Sequence, residues 1–190
     1  MRVLLIPEDF RNDQYMLTPI FKQLYALLGW PNAKVITCTD PLLGGIEEAL
    51  KFDRLSEVFE RYDGMIDHYI LCVDRDGNQN RTQRLAQLEE RCTADGRKFL
   101  TVAAIEEIEV WVLAGIDLPQ QWVWKEIRNH PHPKEQYFDT LAKTLALTNG
   151  PGRGRKSLGE KAAKNIQRII QLCGEELNPL IARIRELEKA

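Results

Sequence analysis

Four short apolar runs, each followed by a stretch of helical period, limit what this chain can fold into more than any other feature. Residues 3–7, 34–38, 69–74 and 99–105 read as strands, and the apolar positions between them recur at helical spacing. Leu17, Ile20, Phe21, Leu24 and Leu28 line one side of 15–28, which stops at Gly29; Leu50, Leu55, Val58 and Phe59 line one side of 46–62. A third helix over 82–92 closes near Gly96. Strands that alternate with helices build a parallel sheet with right-handed crossovers, because each crossover must return the chain to the same end of the sheet. The expectation is an α/β fold with a mostly parallel four-stranded sheet flanked by helices.

Beyond Gly115 the pattern changes. A proline-broken segment, Asn129-His130-Pro131-His132-Pro133, leads to helical sequence over 134–147, and a glycine-rich basic loop over 150–157 precedes helices near 158–172 and 178–188. Ser157 and Glu160 have the spacing of a capping box. We expect an α/β domain over 1–117 and a helical extension over 118–190 packed on it. Trp111, Trp122 and Trp124 suit the seal between the two, although aromatics can also stack on bases. His130 and His132 flank prolines, where no regular element aims them at a ligand, so they read as surface loop.

Net charge is −2, so no global field draws the chain to nucleic acid or to an anionic membrane, and any polyanion contact must be local. Cys38, Cys72, Cys92 and Cys173 are scattered, with no CxxC pair, and read as small core residues in a reducing compartment. The opening apolar run is too short for a signal peptide, and no stretch reaches membrane-spanning length. A cytoplasmic protein is expected. Neither a Walker loop nor a GxGxxG fingerprint follows the first strand, which argues against the familiar nucleotide sites.

Carboxylates gather where the strands end. Glu8 follows the first strand, Asp74 and Asp76 follow the third, and Glu106, Glu107 and Glu109 follow the fourth. In a parallel sheet these ends share one edge, the edge at which open α/β sheets bind ligands. Single pairs have simple explanations: an Asp-Arg-Asp-Gly turn can merely cap a helix, and acids beside a helix start are favoured by its dipole. Three such segments at one edge are harder to explain that way. Glu109 is the most telling, since Ile108, Val110, Trp111, Val112 and Leu113 around it are apolar, and a carboxylate so placed needs a partner or a metal. An oxygen-only set of this kind suits Mg²⁺ or Mn²⁺. Arg75 is expected to point away from the two aspartates or to neutralise them from the side. Arg153, Arg155 and Lys156, in their glycine-rich loop, read either as a phosphate site at a helix start or as a solvated linker.

Glu8 after the first strand, the Asp74-Arg75-Asp76-Gly77 turn and the run Ala104-Ile105-Glu106-Glu107-Ile108-Glu109-Val110-Trp111 together resemble the Toprim-type domains of topoisomerases, primases and OLD-family nucleases. They are most similar to the small stand-alone Toprim-like proteins of the DUF4276 group. The resemblance covers residues 1–115. It departs at the first motif, where Asp9 follows Glu8 instead of glycine, which leaves Glu8, Asp9 or Asp13 to complete the site.

The resemblance implies a Toprim-like fold. It also implies a divalent ion, Mg²⁺ or Mn²⁺, held by Asp74 and Asp76 with Glu109 or Glu106, while Glu8 binds a second ion or acts as a general base. Metal-dependent hydrolysis of a nucleic-acid backbone, DNA or RNA, follows from it, as does an effector role in a prokaryotic defence system with an ATPase partner supplied in trans. A non-catalytic Toprim-like module that docks a partner on the same acidic edge is the alternative. A small-molecule phosphohydrolase ranks lower, because its DxD belongs after the first strand and here it follows the third.

Overall fold

The computed structural model describes residues 1–189. Four strands, β1 (Arg2–Pro7), β2 (Lys34–Thr37), β3 (His68–Asp74) and β4 (Phe99–Ala104), form one sheet in the order β2-β1-β3-β4, with every pairing parallel. Val3 to Pro7 and His68 to Val73 are buried without interruption, as strands covered on both faces must be. Alternate residues feed two cores. Val3, Leu5, Ile70, Cys72, Leu100 and Val102 face α1 (Phe10–Leu27) and the helices of the C-terminal half. Leu4, Ile6, Tyr69, Leu71, Val73 and Phe99 face α2 (Ile46–Ala49), α3 (Phe52–Arg61) and α4 (Arg81–Ala94).

Two elements start or break where the periodicity alone does not say. α1 begins at Phe10, five residues before the expected start at Tyr15, because Asp9 caps it by accepting from the Arg11 amide at 3.0 Å. The expected helix over 46–62 is two helices, since Lys51 takes an extended backbone between them. The turn lets Phe59 pack edge-on against Tyr69 and Phe99, at ring separations of 5.0 and 5.7 Å, so packing overrides the local pattern.

After α5 (Glu109–Gly115) come α6 (Trp124–Arg128), a π-helical turn Lys134–Phe138 running into α7 (Asp139–Thr144), α8 (Arg155–Ala163), α9 (Ile166–Leu172) and α10 (Gly174–Leu187). This extension shares one continuous core with the sheet: Leu158, Ala162, Ile169, Leu180 and Ile184 belong to the same cluster as Val3 and Leu5. Its final residue, Ala190, lies outside the described residues. Close packing depends on two glycines. A Cβ at Gly159 would sit 2.5 Å from the Tyr15 carbonyl oxygen, and one at Gly115 would sit 2.6 Å from that of Ala162. Ser157 lies inside α8, whose cap position is Gly154, so the capping box does not form.

Trp111 is fully buried and donates Nε1–H to Glu176 at 2.9 Å, while Trp122 and Trp124 pack partly buried on the same core, which bears out the sealing role. All four cysteines are buried and unpaired. Among the described residues, no helix is long and apolar enough to cross a membrane.

Candidate functional site

The topology itself marks a crevice. From β1 the chain leaves to α1 on one face, whereas from β3 it leaves to α4 on the other, so the strand order switches direction between two hydrogen-bonded neighbours. Ligands bind outside the carboxyl ends of such strands, because the diverging loops leave an opening there. Glu8 stands one residue after β1, Asp74 is the last residue of β3, and Asp76 follows it.

The loops after β3 and β4 are laced together. Arg75 N–H donates to Ala104 O at 3.1 Å and Glu106 O at 3.0 Å, and Asp76 N–H donates to Glu106 O at 3.2 Å. Asp76 (φ 48°) and Glu106 (φ 60°) both take left-handed backbone, a strained arrangement for side chains other than glycine that is held by these bonds. The Glu106 carboxylate completes the lacing: Oε1 pairs with Arg75, and Oε2 accepts from Gly77 N–H at 2.8 Å. Glu106 therefore holds the turn that carries Asp76 and is not aimed at the other acids. Arg75 neutralises Glu106 instead of the aspartates beside it.

The remaining carboxylates form the site. Asp74 Oδ1 accepts from Ile108 N–H at 2.8 Å, at the start of α5. Asp76 Oδ2 accepts from the buried Arg81 at 2.8 Å, and Arg81 also bonds the Asp74 carbonyl. Glu109, 3% exposed, is paired with Arg155, 5% exposed, through Nε at 3.1 Å and Nη2 at 2.5 Å to one carboxylate oxygen. Glu8 Oε2 is buried with no hydrogen-bond partner. Asp13, one turn into α1, accepts from Asp9 N–H at 3.2 Å. Asp9 is itself engaged as the helix cap, bonded to Arg11 N–H and to the Asn12 amide.

Electrostatics show which of these face one another. Burial raises the Asp74 carboxyl to about 9, with Glu109 and then Asp13 adding repulsion against the relief from the Ile108 amide. Burial likewise lifts Asp13 to about 7, and Glu109 is its next largest cause, ahead of the relieving Arg155 guanidinium. Glu8 is raised by burial and by Asp76, against the opposing pull of Arg81 and the nearby Asp74 and Ile46 amides. Glu107, at the mouth of the same cluster, is raised to about 7 by burial even though it accepts from Lys134 N–H at 2.7 Å. Burial opposes the Lys134 charge, but Glu109 and Glu107 outweigh it and raise its pKa.

Of the predicted site residues, Glu8, Asp74 and Asp76 stand at the carboxyl ends of β1 and β3, Glu109 repels Asp74 from the start of α5, and Glu106 is turned to Arg75 and Gly77. Asp13, left by the sequence as an alternative to Glu8, acts on Asp74 and Glu109, whereas Glu8 acts with Asp76. Arg155 is not in an open loop: it heads α8, bonds Gly152 O, stacks over Phe138 at 5.3 Å and pairs with Glu109. Arg153 and Lys156 beside it are exposed. Arg81 and Lys134 were missed, because a helix-opening arginine and a lysine in a polar stretch carry no local signal. Lys134 opens a π-helical turn, a form that recurs at functional sites. His130 and His132 lie on a loop against Tyr137, with His130 Nδ1 accepting from His132 N–H.

A hard divalent cation suits this donor set in chemistry. All the acids are oxygen ligands, one buried oxygen of Glu8 lacks a partner, and Asp74 and Asp13 are held toward the protonated form by burial and then by the neighbouring Glu109. Among the described residues, however, no three such side chains are already disposed around one point, and Asp76 and Glu109 are each paired with an arginine. A search of family models, of curated proteins and of solved structures found no match to this chain.

Proposed function

We propose that the protein is a metal-dependent phosphodiesterase acting on nucleic acid, of the Toprim type. The observation that carries this reading is the placing of Glu8, Asp74 and Asp76 at the carboxyl ends of β1 and β3, with Glu109 and Asp13 acting on Asp74, whose carboxyl is pushed up to about 9 by burial and then by those two acids. Carboxyls held protonated by burial and by one another would ionise when a divalent cation arrives, and the cation would draw in a phosphate.

In this reading Asp74 and Asp76 hold Mg²⁺ or Mn²⁺, with Asp13 and Glu109 completing the oxygen set. An ion held there would supply Lewis-acid polarisation of a phosphodiester and a more acidic water near neutral pH. Glu8 takes the attacking water's proton at its unpartnered Oε2, a role helped by its raised pKa. Arg81 holds the Asp76 carboxylate and the Asp74 carbonyl, and Ile108 N–H fixes the Asp74 rotamer. Arg155 orients Glu109 from the extension, which ties the helical half to the chemistry.

A second reading has its own support. Asp76, Glu106 and Glu109 each already have an arginine partner, as acids of a non-catalytic docking edge would. A cleavage assay separates the two. Plasmid DNA and RNA are incubated with Mg²⁺ or Mn²⁺ and with wild type or Asp74→Ala/Asp76→Ala. Metal-dependent cutting that the folded double variant loses is the expected result; folded wild type that cuts neither substrate supports the docking edge.

A further inference from the structure

Of the acids above, Glu8, with its neighbour Asp9, lines a groove whose other walls have no role in the chemistry described above. This groove, of about 380 Å³, runs between the start of α1 and the loop before α2, and Glu8, Phe10, Arg11, Leu42, Gly44 and Gly45 line it. Its size falls at the small end of the range for ligand pockets, room for a single nucleotide unit. Glu8, with its unpartnered buried oxygen, forms the inner end.

The outer walls are unusual for a solvated rim. Phe10 is only partly buried, and Leu42 is 50% exposed, one of the few large apolar side chains left so open. The Arg11 guanidinium lies 5.7 Å from the centroid of the Phe10 ring and is otherwise free to solvent. Gly44 and Gly45 present bare backbone, with no atom within 4 Å of where a Cβ would stand. An apolar ring face, a cation beside it and open backbone opposite together match a base, its phosphate and its sugar.

We propose that this groove binds an unpaired nucleotide next to the scissile bond, so that the substrate is single-stranded nucleic acid. The assignment rests on the phosphodiesterase reading for what lies at the Glu8 end. Phe10 takes the face of the base, Arg11 takes the adjoining phosphate, and Leu42 closes the far side. A base can reach the ring only when it is out of a duplex stack, which is why a single strand is selected. Arg11 and Phe10 are specificity-determining residues here, not catalytic ones.

The test measures binding apart from cutting. A short fluorescein-labelled oligo-dT with cleavage-resistant phosphorothioate linkages and a blunt duplex of equal length are titrated in Mg²⁺ with wild type, Phe10→Ala, Phe10→Trp, Arg11→Ala and Leu42→Glu. The expected result is tighter binding of the single strand by wild type, a loss of about tenfold or more in Phe10→Ala, and retention in Phe10→Trp. Leu42→Glu, at a half-exposed position, gives the same loss without risk to the core. No preference for the single strand, no binding by wild type, or equal binding by folded Phe10→Ala and Leu42→Glu overturns the proposal. Phe10-dependent binding by a protein that cuts nothing removes the hydrolase reading and leaves the groove; cutting with Phe10-independent binding does the reverse.

Discussion

Replacing Asp74 by asparagine should make the protein more stable and inactive at once. Asp74 is raised from 3.8 to about 9 in the folded chain, so between those values the folded state binds a proton that the unfolded state has released. Stability from this group is full below about pH 4 and falls as pH rises, because the unfolded state then gains from ionisation and the folded state does not. One fully linked proton changes stability by about 1.4 kcal/mol per pH unit, so the loss between pH 5 and pH 8 approaches about 4 kcal/mol.

Asparagine keeps an oxygen for the Ile108 amide and removes the titration. In EDTA, the melting temperature of Asp74→Asn should therefore exceed that of wild type at pH 8 by about 10 °C, with the gap closing toward pH 5. Mg²⁺ should act in the opposite sense. At a hundred times its dissociation constant it stabilises wild type by about 2.7 kcal/mol and leaves the variant nearly unmoved. Scanning calorimetry or dye-based melting across pH, with and without Mg²⁺, reads both effects. Parallel pH profiles for the two proteins, together with an equal response to Mg²⁺, would refute the claim that folded Asp74 holds a proton it gives up to bind the ion.

The buried Glu109–Arg155 pair gives a second test: Arg155→Met leaves a carboxylate uncompensated beside Asp13 and Asp74 and should cost about 3–5 kcal/mol, measured by urea denaturation, with much of the loss recovered in Glu109→Gln/Arg155→Met. Gly159→Ala drives a methyl against the Tyr15 carbonyl and should destabilise by about 1–3 kcal/mol while loosening α1, seen as faster amide exchange around Asp13.

Much of the architecture was legible locally. The four strands, the parallel sheet and the acids at its carboxyl edge follow from apolar runs ending in Glu8, Asp74 and Ala104 and from the helical stripes between them, since burial on both faces leaves a continuous signature. The core of α3 was legible too, but its break from α2 was not, because Lys51 turns the chain only to let Phe59 meet Tyr69 and Phe99. Glu106 and Glu109 look alike in sequence, three residues apart. A left-handed turn at Glu106 sends its carboxylate back to Arg75 and Gly77, whereas helical backbone at Glu109 sends its own inward to Arg155.

By itself, the sequence determined the layered α/β plan and the gathering of acid at one sheet edge, because strand and helix periods and the residues that end them are properties of neighbours along the chain. Which acids face one another was decided only by the tertiary structure. Asp13 lies 61 residues before Asp74, and Arg155 lies 46 residues after Glu109; these groups bury and meet one another only when α1, α5 and α8 pack. Coulomb interactions act through space, so the chemistry of this edge belongs to the packing and not to any stretch of the chain.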